Sequence, residues 1–413
     1  MWNLLEQLDC IFSFLGFSEK LYEPITELEL EKRTEDLPVQ FPEHLTALYK
    51  WHNGNFENFF PGYEFLSLQE AISHFNGLIE LANELQEDEF YKNSYFPIFR
   101  YQDSYFVVDC DSCSTGGIYW VWVEGGDKPV KMYDSLDQML QVIVDSYLCG
   151  AFYIEDEFLD ENRVLFEKVR KKHLSVELLH KEEDDWKSIT NEAKDFRSLL
   201  DQKDFVRRLY ETYDERAIPY LQDLLGNSNP DIISAAAFGL GELKSRESLP
   251  ELLKLLEHPE EKVRNLCTSA IADIICPTDS LLLQPILNKL VDESTLVRIH
   301  AIEALGRIRS SKATPILIQT LKQSKSNIRI HVIEAMGKIG DSECLDAVKA
   351  LREEGLEGLE LQVAERVISY IEKKTVGCAP CCNASDPLIY FWDSTYHAHK
   401  FLEAIDNAPA PAA

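Results

Sequence analysis

One pattern recurs in this chain. From residue 216 the segments "IPYLQDLLGNSNPDIISAAAFGLGEL", "LPELLKLLEHPEEKVRNLCTSAIADI", "LQPILNKLVDESTLVRIHAIEALGRI" and "TPILIQTLKQSKSNIRIHVIEAMGKIG" follow one another. Their prolines stand at 219, 250, 285 and 315, giving spacings of 31, 35 and 30 residues. Gly241, Ala272, Gly306 and Gly337 keep the same register. Each copy reads as a pair of helices that cannot bury its apolar face alone, so the copies must stack on one another. A degenerate fifth copy, "LDAVKALREEGLEGLELQVAERVISYI", would cap the stack. The sequence therefore predicts an all-α solenoid over 216–374.

The first 155 residues obey other periods. Leu4, Leu5, Leu8, Ile11, Phe12 and Leu15 lie at helical spacing, and Gly16 ends the pattern. In "LPVQFPEHLTALYKWHNG", Pro42 suits a helix start, and Asn53-Gly54 tolerates the left-handed conformation that closes one. "NFENFFPGYEFLSLQEA" reads as a loop, followed by a helix through about Leu85. Strands follow in "YFPIFRYQDSYFVVDCD" and in "GGIYWVWVEGGDKPVKMY", the latter turning at Gly125-Gly126. An amphipathic helix then starts with Asp134 or Ser135 as its cap. The expected fold class is an α+β domain over 1–155 followed by the all-α solenoid. Residues 156–215 read as a charged helical connector, and 375–413 as a cysteine- and aromatic-rich tail, disordered at its end.

Charge narrows the partners. The net charge of the chain is −30. Residues 1–155 carry 8 Lys+Arg against 27 Asp+Glu, a net of −19, so the first domain holds most of the excess. Such a surface repels nucleic acid and anionic membranes and attracts a basic protein. No apolar run approaches the ~18 residues of a membrane span. The opening "MWNLLEQLDC" has acids where a signal peptide has basic residues, so a cytoplasmic protein is expected. The ten cysteines are then expected to be reduced and mostly core-filling.

The repeat pattern, "VRIHAIEALGRI" above all, resembles HEAT repeats of the short phycobilin-lyase type. That family includes chromophore lyase subunits, deoxyhypusine hydroxylase and plain scaffolds. The hydroxylase holds iron with adjacent His-Glu pairs in this helix. Ile299-His300 and Ile330-His331 stand at the aligned positions, so the resemblance does not extend to that metal site. The first domain resembles the SUKH superfamily, named for the fungal Smi/Knr cell-wall regulators. The pieces that carry this likeness are "LPVQFPEHLTALYKWHNG", "FLSLQEAI", "FPIFRYQDSYFVVD", "GGIYW" and "YDSLDQMLQVIVDSYLCGAFY", in that order. The resemblance implies a binding protein without shared catalytic residues. Many bacterial members are immunity proteins that neutralise toxins, and the fungal members are regulatory scaffolds.

Candidate chemistry is sparse. No nucleotide-binding glycine loop, HExxH or GxSxG occurs. His52, beside Trp51 and Asn53, lacks a nearby nucleophile and reads as part of a helix end. Asp109, Cys110, Asp111 and Cys113 in "DCDSC" could ligate a metal, but a turn whose aspartates bond their own backbone is the plainer reading. His300/Glu303 and His331/Glu334 lie one repeat apart, beside Arg298 and Arg329, and read as solenoid surface more than as a metal or anion site. Cys378 and Cys381 with His397 and His399 could close a tetrahedral zinc site, although the His-x-His spacing is unlike a finger. No cofactor is otherwise expected.

Together these readings give a non-catalytic binding protein, an immunity protein facing a basic toxin. A regulatory or assembly scaffold is the alternative, and a bilin-lyase-like enzyme comes third. Glu87, Asp88, Glu89, Asp109 and Asp111 are the expected partner contacts, at a helix end and a hairpin turn.

Overall fold

The structure, a computed structural model, describes residues 1–375 except 16, 56–57, 86–90, 112–115, 125–127, 156–157, 193–198 and 325. It separates into two compact units, dividing between Glu183 and Asp184.

The first unit opens with helices α1 (Trp2–Leu15), α2 (Glu27–Thr34) and α3 (Glu43–Trp51). Strands β1 (Asn58–Phe60) and β2 (Tyr63–Phe65) then precede α4 (Leu68–Leu85). The segment expected as a loop thus contains a hairpin, turned at Pro61-Gly62 with Gly62 at φ +81°. Strands β3 (Tyr95–Tyr101), β4 (Ser104–Asp109), β5 (Ile118–Trp122) and β6 (Val130–Tyr133) complete a six-stranded sheet in the order of the chain. Every pairing in it is antiparallel. Its middle strand β4 is buried along its whole length, because both faces of the sheet are covered there.

Phe12, Phe59, Phe65, Phe75, Phe96 and Phe99 fill the core at under 2% exposure or close to it. Their rings meet tilted or edge-on, as between Phe12 and Phe59 at 5.2 Å and between Phe59 and Phe99 at 5.1 Å. Helix α5 (Leu136–Cys149) is capped by Ser135, whose hydroxyl accepts from the Gln138 N–H at 3.2 Å. Gln138 Oε1 accepts in return from the Asp134 N–H at 2.7 Å, a reciprocal cap.

The first unit continues past residue 155. Strands β7 (Phe152–Glu155) and β8 (Phe158–Glu161) form a separate hairpin, and α6 (Arg163–His173) packs against α5. Val164, Leu165 and Val169 are buried, and Phe152 stacks on Phe166 at 5.3 Å. Arg170 is buried between Glu167, at 2.7 Å, and Glu182 on α7 (Val176–Glu192). So part of the segment read as a connector belongs to this core.

In the second unit, α8 (Leu199–Glu211) precedes pairs α9 (Ile218–Leu224) and α10 (Pro230–Glu242), then α11 (Leu249–Lys254) and α12 (Glu261–Ile274). Three more pairs follow: α13 (Leu283–Leu287) and α14 (Thr295–Ile308), α15 (Thr314–Gln323) and α16 (Ser326–Ile339), α17 (Ser342–Gly355) and α18 (Gly358–Thr375). The second helices stack consecutively, α8 on α10 and so on to α18. Helix α8 therefore joins the stack ahead of residue 216, burying Phe205, Val206 and Leu209.

The small residues of the repeat sit where neighbours approach closely. A Cβ on Gly241 would lie 2.9 Å from Ala270 Cα, and one on Gly306 would lie 3.0 Å from Ala335 Cα. The register of glycine and alanine is a packing requirement. Among the described residues, no helix is long and apolar enough to cross a membrane.

Candidate interaction surfaces

Helix α2 carries most of its acids to solvent. Thr26 caps it, its hydroxyl accepting from the Glu29 N–H at 3.3 Å, and Leu30 is its buried anchor. Glu27, Glu31 and Glu35 recur at four-residue spacing on one face, and all are exposed, as is Asp36. Lys50 reaches Glu27 at 3.1 Å, and Arg33 pairs with Glu29. Exposed Glu23 and Glu43 extend the acidic surface.

The contacts expected from the sequence fare differently. Asp109 closes β4 and is only 8% exposed. Its Oδ1 accepts from the Asp111 N–H at 3.1 Å, while its own N–H donates to the Gly117 carbonyl at 2.9 Å. It organises the chain at the strand end and is too buried for a rim contact, which corrects the expectation. Asp111 is exposed. Glu87, Asp88 and Glu89 lie outside the described residues, as do Cys113 and the tail ligands Cys378, Cys381, His397 and His399. Cys110 is buried, and burial, then the nearby Asp109, push its thiol up to about 12. At neutral pH it is therefore a thiol. Among the described residues, no cluster of His, Cys, Asp and Glu could hold a metal ion.

Trp51-His52-Asn53-Gly54 is a helix end with long-range work. Trp51 Nε1 donates to Asp9 at 2.9 Å, and His52 Nδ1 lies 2.8 Å from the Tyr22 carbonyl. Asn53 Oδ1 accepts from the Leu68 N–H at 2.8 Å, at the start of α4. There Ser67 and Glu70 form a capping box, the Ser67 N–H donating to Glu70 at 3.0 Å and the Glu70 N–H to the Ser67 hydroxyl at 3.3 Å. Gly54 at φ +95° lets the two segments touch. These contacts position α3 against α4.

In the second unit, stacking brings the His-Glu pairs together. His300 Nδ1 lies 2.9 Å from Glu303, and His331 Nδ1 lies 3.3 Å from the other oxygen of Glu303. Glu334 is 3.9 Å from His331 and 3.3 Å from Arg366. Burial alone would raise Glu303, but its hydrogen bonds with His300 and His331 outweigh it and hold the carboxyl at about 2. The bond to Glu303 raises His331. The expected neighbours diverge. Arg298 donates to the Asp292 carbonyl at 2.6 Å, and Arg329 pairs with Glu360 at 2.8 Å.

Sequence reasoning missed two features. One is the α2 face, legible as acids at four-residue spacing. The other is the ion pairing from repeat to repeat, Lys203–Asp231–Lys262 and Arg264–Asp292, whose partners recur about one repeat apart.

The profile of the SMI1 / KNR4 family (SUKH-1) matches residues 24–142, and that of HEAT repeats matches 202–272 and 283–368. The chain is thus built from protein-binding modules. It carries an N-terminal SUKH-1 domain followed by HEAT repeats. Among solved structures, a designed armadillo repeat protein is 16% identical, over 45% of this chain and 98% of its own, with a TM-score of 0.35. The complex of CpcE and CpcF of phycocyanin lyase from Nostoc sp. PCC7120 is 18% identical, over 57% and 91%, with a TM-score of 0.29. Human deoxyhypusine hydroxylase, in complex with glycerol, is 20% identical, over 43% and 82%, with a TM-score of 0.20. No curated protein matches the chain.

Proposed function

We infer that this chain is a non-catalytic, cytoplasmic immunity protein whose first unit binds a basic toxin domain and covers its active site. The observation that carries this reading is the acidic surface of α2, Glu27, Glu31 and Glu35 with Asp36, inside the SUKH-1 match and within residues 1–155, whose net charge is −19. A toxin that acts on nucleic acid needs a basic groove for phosphates, and an inhibitor fills such a groove with acids of its own. Asp111 and the acids Glu87, Asp88 and Glu89 are proposed as further partner contacts. The HEAT stack supplies a second binding surface, and on that ground an assembly scaffold is the alternative.

Growth rescue tests the reading. The product of the gene immediately upstream is expressed alone and then with this chain. Arrest by that product and relief by this chain are expected. A non-toxic neighbour, or a toxic one whose arrest this chain leaves unrelieved, would favour the scaffold.

A further inference from the structure

The sheet of the first unit is covered at its centre and open at one corner. Phe99, Phe106 and Trp120 are partners across β3, β4 and β5 and face the aromatic core. The same face continues through Tyr101, Ser104 and Trp122, again partners across those strands. Here Ser104 stays buried, but the two rings on either side of it reach solvent: Tyr101 is 46% exposed and Trp122 is 40% exposed. Trp122 stacks on Trp120 with centroids 6.4 Å apart, and Tyr101 rests on Tyr63 at 5.7 Å. Gly62 lies under the Tyr101 ring, where a Cβ would make ordinary contact at 3.4 Å. The Val123 N–H donates to the Asp103 carbonyl at 3.0 Å, which ties the β3–β4 turn to the residue after Trp122. Exposed Asp103 and Glu124 stand two residues along the chain from Tyr101 and Trp122, in the turns at this corner.

Aromatic faces attract a guanidinium or ammonium group electrostatically, and bordering carboxylates add to that attraction. The same carboxylates repel anions and make the corner too polar for a purely apolar segment. Two nearby cations are engaged: Arg163 is paired with Glu161, and Arg100 lies 3.7 Å from Glu64 and donates to the Gln102 carbonyl at 3.0 Å. We propose that Tyr101, Trp122, Asp103 and Glu124 form a receptor for an arginine or lysine side chain presented by a basic protein partner. This deepens the preceding reading and rests on its basic partner.

Calorimetric titration of the full chain with oligo-arginine at low salt tests it, with oligo-glutamate as the control. The wild-type chain binds oligo-arginine only. The double variant Tyr101→Ala/Trp122→Ala binds about five- to tenfold more weakly, the loss expected for exposed cation–π contacts. Both rings are exposed, so its melt stays native. Trp122→Phe keeps a ring and most of the affinity, which separates the receptor from a folding defect. If the double variant binds like wild type, the receptor is overturned while the acidic-surface reading stands. If the wild-type chain ignores oligo-arginine, both fall.

Discussion

His331 on α16 stands 3.3 Å from Glu303 on α14, the carboxylate one repeat before it. That glutamate also faces His300 at 2.9 Å, so one side chain ties imidazoles from consecutive repeats. The charge on this seam depends on pH.

Removing the shared acceptor with Glu303→Gln has a pH-dependent cost. His331 is raised by its bond to Glu303, so its contribution is complete below the ordinary histidine pKa and is lost as pH rises through the raised value. Glu303, held at about 2, contributes above the usual carboxylate range and loses that contribution as pH falls towards 2. The seam is strongest between these limits. The groups are partly exposed, so we expect about 0.5–1 kcal/mol in mild acid. The melting-temperature gap between wild type and variant should narrow as pH rises through the raised His331 value. A gap independent of pH would contradict this account.

Among the described residues, Arg264 and Asp292 form the most enclosed ion pair between repeats, with side chains 8% and 6% exposed. Two guanidinium nitrogens reach the carboxylate at 2.9 and 3.2 Å, and a third donates to the His258 and Pro259 carbonyls at 3.0 Å. Arg264→Leu strands the carboxylate and should cost about 3 kcal/mol in urea denaturation. Adding Asp292→Asn should recover about 1 kcal/mol of this. A single variant as stable as wild type would show that the pair contributes nothing.

At Gly54, a Cβ would lie 2.5 Å from the Ser67 backbone nitrogen, and the positive φ adds strain. Gly54→Ala should therefore destabilise the first unit by more than about 1 kcal/mol. His52→Ala loses one hydrogen bond to a carbonyl and a 3.5 Å contact with Asp9, and should cost less. The opposite order, read by thermal melts, would mean that His52 does more than close the helix.

The sequence revealed elements with one clear period and obscured those held by distant partners. The repeats were legible because close packing fixes Gly241 and Gly306, and the helix end because Asn53-Gly54 is local chemistry. That Asn53 also caps α4 was not legible, since Leu68 lies fifteen residues on. Strand β7 is hidden because "CGAFY" reads on from the amphipathic helix before it, and β8 because Asp160 and Glu161 give it the charge of the connector. Asp109 resembled its exposed neighbour Asp111 because composition cannot tell which of two adjacent carboxylates turns back to bond the chain.

The association rate tests the central claim most directly. The partner recovered by growth rescue is mixed with the full chain in stopped flow across a salt series. Charge steering from the first unit predicts an on-rate falling at least about tenfold between low salt and ~0.5 M. Reversing Glu27, Glu31, Glu35 and Asp36 to Lys should flatten that dependence. An on-rate independent of salt in the wild-type chain, or unchanged by the reversal, would contradict an acidic surface that captures a basic partner.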